Sequence, residues 1–116
     1  MKTIFKLSIL LAFMICVYAC GSNKSDVTAN ANATFKTWGN CEMCKETIEG
    51  SLKVSGIANV DWNKDTKMMT VSFDSTKITL DQIEKDVASV GYDNEKYKGD
   101  DKAYASLPEC CQYERK

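Results

Sequence analysis

Apolar and polar positions along this chain change period several times, and each period predicts an element. From Ala33, Phe35 and Thr37 alternate with Lys36 and Trp38, a short strand that ends at Gly39-Asn40. Cys44, Ile48 and Leu52 then recur every four residues. That spacing predicts an amphipathic helix from Cys41 to about Lys53, closed by Gly56. Val60 and Trp62 share one face of a segment from Ile57 to Asn63. After the polar turn Lys64-Asp65-Thr66, Met69, Val71 and Phe73 alternate with Met68, Thr70 and Ser72, so the two runs predict a hairpin. Trp62, Met68 and Met69 are expected in the core or on a sheet face. A second helix carries Leu80, Ile83, Val87 and Val90 on one stripe. Thr79 can cap it with Gln82 three residues on, and Gly91 stops it. Asn94 to Lys98, with Tyr97, is expected as a charged edge strand.

The resulting order is strand, helix, strand, strand, helix, strand. It predicts an α+β fold of the ferredoxin-like βαββαβ kind, one antiparallel sheet with two helices on one face. Residues 33–98 suffice for it, and 99–116 form a polar tail that still carries Tyr104, Leu107, Pro108, Cys110, Cys111 and Tyr113.

The first residues have a different texture. Lys2 and Lys6 precede a nearly uninterrupted apolar run, Leu7 to Val17, which is shorter than the roughly 20 residues of a comfortable membrane span. This reads as a secretory signal over residues 1–19. Val17-Tyr18-Ala19-Cys20 resembles the bacterial lipobox, in which a cysteine is alkylated with diacylglycerol before cleavage. Ala19 and Cys20 fit that pattern, whereas Val17 fits loosely and Tyr18 poorly. The expectation is an exported, membrane-anchored lipoprotein lipidated at Cys20 and facing the periplasm. Residues 20–32, small and polar, would serve as a tether.

Charge and cysteine content narrow the function. Without Lys2 and Lys6, 13 basic residues face 16 acidic ones, a net charge of −3. With no basic cluster, nucleic acid is not an expected partner. Beyond Cys16 and Cys20, four cysteines remain as two close pairs, Cys41/Cys44 and Cys110/Cys111. A stapling disulfide gains most by closing a long loop, and neither local pair does so, although cross-pairing would. Chemistry is therefore favoured over architecture. Cys41-Glu42-Met43-Cys44 sits where the first strand runs into the first helix. Unpaired N–H groups and partial positive charge there favour thiolates. Two thiolates in a chain with no histidine suit a soft ion, Cu(I) first, with Hg(II) as an alternative. Zn(II) would want four ligands, which requires Cys110 and Cys111 to fold back.

The stretch from about Phe35 to Tyr97 resembles the heavy-metal-associated domain, the family of copper chaperones, copper-ATPase modules and periplasmic mercury-binding proteins. Gly39 to Cys44, Ile48, Leu52, Ser55-Gly56-Ile57, Val71, Phe73 and Val90-Gly91-Tyr92 carry the resemblance. It implies that Cys41 and Cys44 bind metal, that Tyr92 stands near them, and that the ion passes by ligand exchange to a metal-transporting ATPase or another periplasmic carrier. The family usually has Gly-Met-x-Cys, where this chain reads Gly39-Asn40-Cys41, so Asn40 takes part in an altered loop. Met43 is expected at the surface. Cys110 and Cys111 are additional candidate ligands. The rivals are a thiol–disulfide redox protein using Cys41/Cys44 and a structural lipoprotein with oxidised cysteines. No acid–base pair, phosphate loop or nucleophile–histidine arrangement points to an enzyme.

Overall fold

Alternation in three six-residue segments produces the sheet of the computed structural model, which describes residues 27–116. Strand β1 is Ala31–Lys36, β2 is Ile57–Trp62 and β3 is Met68–Phe73, in the order β1-β3-β2. Both pairings are antiparallel. Phe35 and Trp62 oppose Met69 from either side, and Ala33 and Val60 oppose Val71. Directly opposed residues point to the same face, so this register collects the large apolar side chains on one side.

That side is covered by helix α1 (Glu42–Gly50) and helix α2 (Leu80–Ser89). Cys44 and Ile48 from α1 and Ile83 and Val87 from α2 join Phe35, Trp62, Met69, Val71 and Phe73 in one core. Trp62 and Met69 are completely buried, as their places in the alternation predict. Trp62 is also tied down by its indole N–H, which donates to the Thr37 carbonyl at 2.9 Å.

Three details of these elements differ from the sequence reading. β1 begins at Ala31, two residues inside the stretch read as a tether, because Ala31 and Asn32 find partners in Phe73 and Ser72. Helix α1 stops at Gly50, well before Gly56. The Gly56 φ of +93° instead turns the chain into β2. Thr79 accepts from the Gln82 N–H at 3.1 Å as predicted, but the Gln82 side chain reaches forward to Asp86 and does not close a capping box.

The expected edge strand at 94–98 is reduced to one bridge, Thr37 with Asn94. The Asn94 carboxamide accounts for this. It accepts from the Lys96 and Tyr97 N–H groups and donates to the Glu84 carbonyl, curling the segment into a turn anchored on α2.

The tail is folded. Asp100 caps a short helix α3 (Asp101–Ala105) by accepting from the Ala103 N–H at 2.8 Å, and a 3-10 turn spans Glu109–Cys111. Among the described residues no helix is long and apolar enough to cross a membrane. The expected signal (1–19), Cys20 and most of the expected tether lie outside the described residues.

Candidate metal centre

The loop between β1 and α1 is shaped from below by Trp62. A side-chain carbon on Gly39 would fall 2.9 Å from the Trp62 ring and 3.3 Å from the Cys44 Cβ, so the ring fixes how closely the loop can pass. Cys41 follows in extended conformation and caps α1. Its Sγ accepts from the Cys44 N–H at 3.4 Å, the position that Ser, Thr or Asp usually fills. One helical turn then brings the two sulfurs to 3.1 Å.

A third sulfur completes the cluster. Cys111 Sγ lies 3.4 Å from Cys41 Sγ, and the three sulfur atoms all lie within 4.8 Å of one another. Cys44 and Cys111 are buried while Cys41 is half-buried, so the cluster meets solvent on the Cys41 side. Cys110 is not a member. It is exposed, and its thiol points to Met43 Sδ at 3.5 Å. Met43 itself is exposed, where its position between the motif cysteines predicts it. Asn40 accepts from the Cys44 thiol at 3.1 Å.

The electrostatics suit ligation by sulfur. Burial pushes the Cys41 thiol up, but hydrogen bonds from the Cys44 and Cys111 thiols and from the Cys44 and Met43 N–H groups outweigh it. The net shift is downward. Burial, followed by the neighbouring Cys41 and Cys110 thiols, pushes Cys111 up. Cys41 is therefore the first of these two to lose its proton. Tyr92 stands under the site, fully buried, its hydroxyl without a hydrogen-bond partner of ordinary geometry. Burial and the Cys44 and Cys111 sulfurs keep that phenol protonated, a donor beside sulfur that gains negative charge on ligation.

Cys111 is held in place by the tail tyrosines, to which the sequence reading gave no role, and by Asp93 and Arg115, which it did not name. The Tyr113 ring stacks on Tyr92 at 5.3 Å and meets Tyr104 edge-on at 5.2 Å. Its hydroxyl donates to the Gly91 carbonyl and accepts from the Asp93 N–H, both at 2.7 Å. Arg115 reaches Asp93 at 2.9 Å and Asp101 at 2.7 Å. Although burial pushes the Asp93 carboxyl up, Arg115 and the Gly99 and Lys116 N–H groups bring it below the ordinary range. Two signals for this anchor were present: tyrosines in an otherwise polar tail, and the only arginine in the chain.

Residues 40–93 match the heavy-metal-associated domain family. Over 54 residues, 46% of this chain and 79% of the relative, the sequence is 28% identical to copper chaperone CopZ of Staphylococcus epidermidis. A putative copper-ion-binding protein from Bacillus anthracis superimposes with a TM-score of 0.54 at 28% identity, covering 56% of this chain and 94% of that one. A CopZ metallochaperone superimposes at 0.53 with 24% identity, covering 55% and 98%, a likeness of fold. The three alignments cover between 46% and 56% of this chain.

Proposed function

We propose, from the premise that the protein carries a heavy-metal-associated domain over residues 40–93, that it binds a soft metal ion through Cys41 and Cys44 and passes it on by ligand exchange. The observation that carries this reading is the pair of sulfurs 3.1 Å apart at the N-terminus of α1, with no imidazole or carboxylate among the neighbouring donors. Thiolates in that setting prefer Cu(I), then Hg(II), over hard ions. The copper named for the two relatives at 28% identity supports Cu(I) as the cargo. The role is carriage and not catalysis, and the natural recipient is another thiolate metal carrier such as a metal-transporting ATPase. The leader sequence supports export and a lipid anchor at Cys20, facing the periplasm. Loss of acyl labelling in Cys20→Ser is the expected mark of that anchor.

Anaerobic titration of the reduced protein with Cu(I) against a competing chelator tests the carriage reading. One tightly held equivalent, abolished in Cys41→Ser/Cys44→Ser, is expected. No competitive binding by the reduced wild type would overturn it and favour the thiol–disulfide reading, for which the short Cys41–Cys44 distance is also suitable.

A further inference from the structure

The matched family segment ends at residue 93, and Cys111 lies eighteen residues beyond it. Yet its sulfur is as close to Cys41 as a cluster member must be. We infer that Cys111 is a third ligand, so that the site takes soft ions that accept three thiolates with no fourth protein donor, and that the tail retains the ion against transfer. This inference rests on the carriage reading above and deepens it.

Distances separate three coordination modes. With a metal–thiolate bond of about 2.3 Å, a linear two-sulfur site needs sulfurs about 4.6 Å apart, and a planar three-sulfur site needs about 4.0 Å. Cys41 and Cys44 stand at 3.1 Å, and Cys41 and Cys111 at 3.4 Å. Linear coordination therefore requires the motif pair to spread by about 1.5 Å. Planar coordination requires each of these two distances to open by less than about 1 Å. A tetrahedral site would have to recruit Cys110, whose sulfur lies 3.7 Å from Cys111 Sγ but is exposed, directed at Met43 and outside the mutually close trio, while Asn40 is occupied by Cys44.

The tail is not a loose strap that reaches this position by chance. Cys111 is 1% exposed and its N–H donates to the Pro108 carbonyl at 2.8 Å. Two residues on, Tyr113 is locked between Tyr92 and Tyr104. Glycines make the seat possible. A side-chain carbon on Gly91 would lie 2.7 Å from the Tyr104 nitrogen, and one on Gly99 would lie 2.5 Å from the Gly91 carbonyl carbon. The third sulfur is thus presented by a packed surface, and it occupies the position an incoming thiolate would take in ligand exchange. Release then requires the recipient to displace Cys111.

X-ray absorption on the full folded chain loaded with Cu(I), and separately with Hg(II), counts the sulfur neighbours directly. Three are expected in the wild type and in Cys110→Ser, and two in Cys111→Ser. Cys111→Ser should also weaken Cu(I) binding at least about tenfold, the lower end of what losing even an outer partner of a ligand costs. It should hand Cu(I) to a competing chelator faster as well. Two sulfurs in the wild type, with Cys111→Ser unchanged in affinity and transfer rate, would overturn the inference while leaving the Cys41/Cys44 carrier intact. Four sulfurs, falling to three in Cys110→Ser, would overturn it in favour of a tetrathiolate site. Failure of the wild type to bind either ion would instead remove the carriage reading itself.

Discussion

At the scale of single residues, the site depends on small differences in bulk and polarity. Gly39 is there because Trp62 leaves no room for a side chain, with ring carbons 2.9 Å from where one would begin. Gly39→Ala must push either the loop or the indole, whose N–H holds the Thr37 carbonyl. Overpacking of this kind costs about 1–3 kcal/mol. Thermal unfolding should show that loss, and Cu(I) affinity should fall with it, since the same loop carries Cys41. Ile48 lies one turn beyond Cys44 and is completely buried. Ile48→Ala should cost about 2–5 kcal/mol in denaturant unfolding, with the metal stoichiometry unchanged.

At the scale of elements, the two long helices use the same capping position for different ends. Thr79 caps α2 with an oxygen and lies outside the sulfur cluster. Thr79→Ala should therefore lower stability by about 1 kcal/mol and leave metal affinity as it was, which paired melting and chelator-competition measurements would check. Cys41 caps α1 with a sulfur that is also a proposed metal ligand. Helix initiation and ion binding are joined in one atom there, and a serine at this position preserves the first while removing the second. The segment 94–98 shows how a side chain can override a pattern. Its polar alternation suits an edge strand, but the Asn94 amide bonds two following N–H groups and ends the ladder after one bridge.

At the scale of the whole molecule, the tail and the domain share a polar lock. Asp93 is completely buried and holds Arg115 together with the Gly99 and Lys116 N–H groups. Its folded carboxyl titrates below the ordinary value of 3.8. A depressed acid contributes stability that is complete above the unfolded value and is lost as pH falls through the folded one. The tail should accordingly stay seated at neutral pH and loosen only below about pH 3.8, which tyrosine fluorescence from Tyr104 and Tyr113 would follow. Asp93→Ala leaves the half-buried Arg115 and the Gly99 and Lys116 N–H groups without their shared acceptor and should cost about 1–3 kcal/mol. The acid transition of the tail should disappear with it. Truncation after Lys98 should both lower the melting temperature, by exposing Tyr92, and raise the rate of metal loss.

Alternation at Phe35, Met69, Val71 and Phe73, four-residue spacing at Cys44, Ile48 and Leu52, and the Thr79 and Gly91 punctuation were enough to derive the sheet, both long helices and the place of Cys41 and Cys44 at a strand-to-helix junction. These are local signals, because burial on one face imposes a period on neighbouring residues. The end of α1 at Gly50, the loss of the last strand and the seating of the tail were decided by tertiary structure. Each depends on partners distant in sequence: Asn94 on the carbonyl of Glu84, Tyr113 on Gly91 and Tyr92, and Cys111 on Cys41 seventy residues earlier. Periodicity carries no trace of such pairs, so local spacing located the first two cysteines of the cluster, and the packing of distant segments brought the third beside them.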